Sequence, residues 1–385
     1  MKTLFRGTET LQGWAPKAGS DARRNYDYQL TIYAVLLTIF GLAMAYSNSV
    51  GSTQQALTTS SPFVRTLMWG VVAAVVFGLT TSFDYKWVRS FAWPLYLINL
   101  VLLIATLRLG QGTGEAGSAA RWVVIAGFQF QFSELAKIAM IVVFATFLSS
   151  RDNVTIKSPW TIIGALLVMV PPWVLVMMQP DLGTSLVLVA ILAGMLFMSG
   201  ASLFWMGMLI SAVIAAVPFV WAGMRDYQKA RILTLLDPGS DPKGAGYQLH
   251  QAETAIRAGG FGGKGLTNGN VAMPVQSTDF VWGVLAEELG FIGALVVMIL
   301  FALLVWRLLT CAWRSTDTFA MLVGTGIATM IAFQVLVNIG MVVGFMPVTG
   351  IPLPFISYGG ASLVSLAAGI GTLQSTNLRR ERPEW

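Results

Sequence analysis

Apolar runs close to the length that crosses a bilayer recur so densely in this chain that little of it is left for anything else. They fall at residues 28–47, 63–82, 90–107, 134–150, 160–178, 184–199, 203–224, 280–305, 318–344 and 355–375. A helix crosses the hydrocarbon core with ~20 residues. Lipid offers a backbone N–H or C=O no water to bond, so only helices and closed barrels can span it. The runs are continuous rather than alternating, which argues against a barrel. The expected fold is therefore all-α and integral to the membrane, with about ten transmembrane helices.

Composition agrees. Hydrophobic residues make up 55% of the 385 and charged residues 11%, whereas soluble domains carry about 25% charged residues. Cys311 is the only cysteine and His250 the only histidine. No intrachain disulfide, histidine-based metal site or Ser-His-Asp triad can be built from these. Any catalysis must use carboxylates, amines, amides or hydroxyls.

An even number of spans puts both termini on one side, and basic residues choose the side. Most of the 24 Lys and Arg lie in connections on one face: Lys2, Arg6, Lys17, Arg23 and Arg24, then Lys86 and Arg89, Arg151 and Lys157, Arg307 and Arg314, and finally Arg379, Arg380 and Arg382. Both termini are thus expected in the cytoplasm. The expected organisation is an N-terminal tail over residues 1–27, with no cleavable signal ahead of the first span, a transmembrane domain over 28–378, and a C-terminal tail over 379–385. A large extracytoplasmic loop over 225–278 separates helices seven and eight.

That loop carries Arg225, Lys229, Arg231, Lys243, Arg257 and Lys264. A solvated loop would account for them, and so would a site for an anion, since Arg and Lys are the usual phosphate contacts. Within it, Tyr247 to Arg257 reads as a short amphipathic helix, with Leu249, Ala252 and Ile256 on one side and Gln248 and Gln251 turned away. Gly259, Gly260, Gly262, Gly263 and Gly265 follow; such glycines let backbone N–H groups approach a phosphate. Elsewhere, Pro171-Pro172 should kink or break the fifth helix, and Gly340 with Gly344 spells a helix-packing GxxxG in the ninth.

Charge at membrane depth costs roughly 2.5–3.5 kcal/mol on insertion scales, so it hints at function. Glu134, Lys137, Asp181, Asp279, Glu287 and Glu288 all lie within or at the ends of spans. Glu134 and Lys137 are three apart, so they either pair structurally or line a cavity. Asp181 and Asp279 precede apolar helices and could be N-caps. Glu287 and Glu288 lie two turns deeper than Asp279, and at least one must face a packed or wet interior. Together these residues imply a polar cavity that opens outward, lined by carboxylates and flanked by cations. Such a cavity suits a transporter or a membrane transferase.

Several segments resemble the SEDS family (shape, elongation, division and sporulation), which includes RodA and FtsW. They are Arg121-Trp122, the stretch from Gln131 to Lys137, the stretch from Gln179 to Ser185, Tyr227-Gln228 with Arg231, and Gly246-Tyr247-Gln248 with Gln251. The rest are Ser277-Thr278-Asp279-Phe280, the stretch from Ala286 to Gly290, and the distinctive run from Pro347 to Gly360. The likeness spans residues from about 28 to 378, and the stretch from Gly263 to Gly269 looks more like RodA than FtsW. Phe132, Ser277 and Ala361 stand where the family usually has proline, histidine and serine.

The resemblance implies a peptidoglycan glycosyltransferase of the bacterial inner membrane that polymerises lipid II into glycan strands during cell-wall elongation. It implies a class B penicillin-binding protein as partner, alongside other membrane proteins of the elongation machinery, and no nucleic acid. The family's catalytic position corresponds to Asp279. On this likeness Arg121, Glu134, Lys137, Asp181, Arg231, Gln248, Gln251, Arg257, Lys264, Ser357 and Tyr358 are candidate substrate contacts. The reaction needs a base at the acceptor hydroxyl and positive charge at the diphosphate. Asp279 would serve as the base, and Lys137, Arg231, Arg257 and Lys264 would supply the charge. A groove open to lipid would hold the polyprenyl tails. Ser357 to Gly360, with Pro352 and Pro354, should break the chain beside the cavity. A divalent cation, magnesium or manganese, would help neutralise the diphosphate, although no ligand spacing marks a site for one. The rivals are a lipid II flippase, a division-type polymerase and a non-catalytic scaffold.

Overall fold

The computed structural model describes residues 25–51, 61–110, 121–125, 128–223, 229, 233–235, 244–269 and 278–379. Ten apolar helices coincide with the ten expected spans. They are α1 (Tyr28–Gly51), α2 (Pro62–Ser82), α4 (Ala92–Leu109), α5 (Phe132–Ser149), α6 (Pro159–Met178), α7 (Leu182–Met198), α8 (Leu203–Gly223), α10 (Val281–Trp313), α11 (Thr318–Val342) and α12 (Gly360–Leu378). A short α3 (Tyr85–Ser90) precedes α4, and α9 (Ala245–Gly259) lies in the long loop. Among the described residues, seven of the helices are long and apolar enough to cross a membrane unaided. The remaining three are shorter or more polar, as in α12 with its Gln374, Ser375, Thr376 and Asn377. The only sheet among the described residues is a hairpin of β1 (Val123–Ile125) and β2 (Phe128–Phe130).

Helices α5 and α11 sit innermost, with two-thirds of their apolar windows buried, while α2 turns most of its surface outward. This difference is invisible in hydropathy, because lipid and protein interior are equally apolar. At one end of the bundle, Asp27 ahead of α1 accepts two hydrogen bonds from Arg307 Nε (2.8 and 3.0 Å) and one from Cys311 Sγ (3.1 Å). At that same end Arg379 donates to the Ser82 carbonyl (2.6 Å) and Ser375 to that of Phe83 (2.5 Å), pinning α12 to the end of α2.

Three local expectations change. Pro171 and Pro172 lie inside α6 without breaking it. A proline deprives the carbonyl four residues back of its donor, and the orphan at Val168 is met by the Tyr96 hydroxyl from α4 (3.1 Å). Gly344 is not part of α11, which ends at Val342; its φ of +82° makes it a turn residue, so Gly340 and Gly344 form no helix seam. Most consequential, α10 is two helices. Gly290 has φ 68° and ψ −171°, which separates Val281–Leu289 from Phe291–Trp313.

The break exposes backbone groups, and the glycine-rich loop after α9 bonds them. Lys264 N and Gly265 N donate to the carbonyls of Glu287 (3.1 Å) and Glu288 (2.9 Å), while the Gly260 and Phe261 carbonyls accept from Phe291 N (2.9 Å) and Ile292 N (3.2 Å). Glycine is required where the two chains touch: a Cβ on Gly263 would lie 2.2 Å from the Glu288 oxygen, and one on Gly290 2.2 Å from Gly263 N. The glycines of this loop suited either a phosphate or a flexible loop by sequence; here the amides of Lys264 and Gly265 mend a broken helix, as buried backbone groups require.

Candidate functional site

The opposite end of the bundle from Asp27 holds most of the expected site residues. Asp279 lies in the turn 278–280 that leads into α10. The N-cap position is Phe280, with no side-chain cap, so Asp279 is not the cap that its place before an apolar run suggested. Two neighbours fix this turn. Asn338 Nδ2, fully buried on α11, donates both to the Asp279 carbonyl (3.0 Å) and to that of Ile351 (2.7 Å). Ser357 Oγ donates to the Thr278 carbonyl (2.6 Å) and accepts from Leu353 N (2.8 Å).

Leu353 and Ser357 belong to the non-helical connection 343–359, which the prolines keep from continuing α11. The connection wraps the acid closely. A Cβ on Gly350 would stand 3.2 Å from Asp279 Oδ2, and the φ of +75° there already favours glycine. The half-buried Asp279 is thus held by the end of α11 and the connection that follows it, through contacts 59 and 79 residues away in sequence.

Around this centre lie two carboxylate clusters. Lys137 Nζ sits 2.8 Å from both oxygens of Glu134, and both side chains are almost wholly buried in the first turns of α5. Asp181 caps α7 through Thr184 N (3.1 Å), and its Oδ2 also accepts from Thr184 Oγ1 (2.9 Å), Gln131 Nε2 (3.0 Å) and Ser133 Oγ (3.1 Å). Arg121 Nε donates to the Gln179 carbonyl (3.0 Å) and its Nη2 to that of Pro180, meeting carbonyls at the end of α6. Arg121 and Asp181 therefore brace the α6–α7 junction with the hydrogen bonds that a substrate would otherwise take.

Near the break in α10, Lys264 Nζ pairs with Glu287 Oε1 at 2.6 Å, and Ser47 of α1 donates to Glu288 Oε1 while accepting from Thr267 N (3.1 Å). Both glutamates are buried among protein, not lipid. Gln248 and Gln251 are half-buried on α9, whose Leu249, Ala252 and Ala255 are buried. Arg257 points outward, 82% exposed, beside Glu253 (3.6 Å). Arg231 lies outside the described residues. The expected ring of several cations is thus not what the described residues form: Lys137 and Lys264 each lie against a buried carboxylate, and Arg257 faces out.

The sequence reading missed the cation that lines the cavity beside the acid. Arg65, in the first turn of α2, lines a cavity of about 40 Å³ together with Trp69, Trp122, Gln129, Thr278, Tyr358, Gly359 and Gly360. The signal was available, since an arginine in an apolar run is costly. Trp69 presses on Gly360 so closely that a Cβ there would lie 2.2 Å from the indole, and its ring meets Phe130 edge-on at 5.2 Å. Asn338 was also missed; with Gln334 it is one of two buried amides in a largely apolar helix. Among the described residues, no three His, Cys, Asp or Glu side chains gather into a metal-binding group.

The arrangement offers a carboxylate at this end of the bundle, an arginine in the cavity beside it, and an apolar helical body below. It can take a proton and hold an anion at the same mouth.

Residues 28–382 match the model of the cell cycle protein family that groups FtsW, RodA and SpoVE. The chain is 40% identical over 292 residues to the peptidoglycan glycosyltransferase MrdB of Escherichia coli K12, covering 74% of this chain and 78% of that one. It superposes with TM-score 0.77 and 31% identity on a chain from a peptidoglycan synthase complex described as coordinating polymerization and crosslinking, over 91% of this chain and 97% of that one. The rod-shape-determining protein RodA of Thermus thermophilus matches with TM-score 0.68 and 26% identity, over 93% and 98%.

Proposed function

We propose, from the premise that this chain belongs to the FtsW, RodA and SpoVE family, that it is a peptidoglycan glycosyltransferase with Asp279 as its base. The substrates are two lipid-linked disaccharide units. The sugar hydroxyl of one attacks the anomeric carbon of the other, the new glycosidic bond forms as the old bond to the diphosphate breaks, and the configuration inverts. Asp279 takes the hydroxyl proton, and polyprenyl diphosphate leaves.

The observation that carries this reading is the clamping of the Asp279 turn by Asn338 and Ser357 beside a cavity lined by Arg65. Positioning of this kind contributes to rate by holding reacting groups in attack geometry. A cation near the leaving diphosphate stabilises the charge that develops there. A divalent cation that neutralises the diphosphate would arrive bound to it. Glu134 with Lys137, and Glu287 with Lys264, shape the wall behind the acid.

An elongation role is supported by the likeness to MrdB, and a class B penicillin-binding protein as partner by the likeness to a chain from a peptidoglycan synthase complex. The bacterial inner membrane, with both termini in the cytoplasm, is the location that the basic connections favour. The test is purified protein in vesicles with labelled lipid II, with and without its transpeptidase. Glycan polymer on a gel is the expected result. Movement of lipid between leaflets with no new glycosidic bond in either condition would refute the reading.

A further inference from the structure

A base placed to take the proton of a sugar hydroxyl can take one from water as well, and water is the more abundant acceptor. Attack by water would join its oxygen to the anomeric carbon, break the bond to the diphosphate and give a proton to Asp279. It would leave a free sugar end in place of a glycosidic bond, a side reaction that a closed site prevents. We propose that the hairpin of β1 and β2 supplies this closure: Trp122 and Gln129 shut the cavity beside Asp279 against water and so select a sugar hydroxyl as acceptor. The inference rests on the reading of the protein as a lipid-linked sugar transferase and adds the residues that set its acceptor specificity.

The hairpin is strapped across this end of the bundle. Arg121, just before β1, donates from Nε to the Gln179 carbonyl (3.0 Å) and from Nη2 to that of Pro180. Gln131, just after β2, donates from Nε2 to Asp181 Oδ2 (3.0 Å). Both feet of the hairpin therefore stand on three consecutive residues of the α6–α7 junction. On the far side, the Phe130 ring meets the Trp69 indole of α2 edge-on at 5.2 Å. A two-stranded hairpin has little stability of its own, so these anchors fix where it lies.

Register decides which side chains face the cavity. Val124 pairs with Gln129 and Val123 with Phe130. Residues directly opposite share a face of the ladder, as do residues two apart. Trp122, Val124 and Gln129 are therefore on one face, and Val123 and Phe130 on the other. From the first face, Trp122 and Gln129 line the cavity of Arg65 and Thr278, whose other walls come from α2, the turn before α10 and the approach to α12. Trp122 is half-buried and Gln129 exposed, so the cavity meets solvent at these two. Its volume of about 40 Å³ has room for a few waters at roughly 10–15 Å³ each, or for one phosphate group. With a phosphate beside Arg65, the anomeric carbon lies one bond from the ester oxygen, within the same walls and close to Asp279. Removing the indole would open that point to water from the hairpin side.

Each transfer releases one polyprenyl diphosphate and no free sugar end, whereas each hydrolysis releases one of each. The ratio of free sugar ends to polyprenyl diphosphate therefore reads the leak to water directly. The experiment uses the full-length protein in vesicles with labelled lipid II, and variants whose melting temperatures match the native one. Contacts in a pocket discriminate between competitors by about 10–200-fold, so the ratio should rise about tenfold or more in Trp122→Ala and about threefold in Gln129→Ala. Gln129 is exposed, and substitution at such a position leaves folding intact. The ratio should stay near the native value in Trp122→Phe, which keeps an aromatic wall, and in Val124→Ala, at a position that is 44% exposed and does not line the cavity. A slower reaction at an unchanged ratio in Trp122→Ala and Gln129→Ala would overturn the proposal, since a merely structural role slows both outcomes alike. So would an equal rise in Val124→Ala, or a folded Trp122→Ala that releases no polyprenyl diphosphate. Failure of the transferase reading looks different: the native protein itself would release no polyprenyl diphosphate, and both claims would fall together.

Discussion

Asn338 makes the sharpest demand of any single residue outside the acid. One amide holds the Asp279 carbonyl and the Ile351 carbonyl together, with no exposure to solvent. In Asn338→Leu both carbonyls lose a buried donor, at about 1–3 kcal/mol for each unsatisfied group. The turn that carries Asp279 should drift, and misplacement of a reacting group by about 1 Å can cost 10²-fold. The expected result is a fall in kcat of that order with KM for lipid II little changed, since Asn338 makes its contacts to backbone and not to substrate. A second residue-scale test separates bracing from binding at Glu134 and Lys137. Removing one partner of a buried pair strands the other, at about 3–5 kcal/mol. Glu134→Gln and Lys137→Met should each lower the melting temperature of the detergent-solubilised protein, and the double variant should recover most of the loss. A double variant no more stable than the worse single one would contradict a simple structural pair.

At the scale of elements, the informative feature is the repair of α10 by the loop after α9. Gly290 at φ 68° and Gly263 at φ +76° face each other at backbone contact. Gly290→Ala should therefore destabilise sharply, and adding Gly263→Ala should cost little more, because both changes part the same two chains. Thermal melts of the two single variants and the double variant test this; full additivity would contradict it. The contrast with the sequence reading is instructive. The ten spans were legible because lipid forces apolar residues into helices and leaves no other signal of comparable strength. The break at Gly290 was not, since one glycine in a long apolar run reads as a weak helix position. Nor was the role of the glycines from 259 to 265, because flexible loops, phosphate cradles and close backbone contacts all call for the same residue. Asp279 could be singled out by resemblance, but that Asn338 and Ser357 would clamp it depends on contacts 59 and 79 residues apart.

For the whole molecule, the account is of a bundle with two unlike ends. One end is locked by Asp27 with Arg307 and by Arg379 with the α2 terminus. The other holds a clamped acid and an arginine-lined cavity. Composition foretold a bundle of apolar, membrane-spanning helices. Composition and charge left open whether Lys137 pairs with Glu134, as it does at 2.8 Å, or lines the cavity, and gave no sign that Lys264 would turn to Glu287, 2.6 Å away. The central claim, that Asp279 at this mouth is the base for glycan polymerisation, is tested most directly by single-turnover polymerisation of labelled lipid II in vesicles. The comparison is native protein against Asp279→Asn, with matched melting temperatures to show that both are folded. Loss of general-base catalysis lowers rates 10²–10⁴-fold, so the variant is expected to form new glycosidic bonds at least a hundredfold more slowly. Polymer formed within threefold of the native rate would contradict the account.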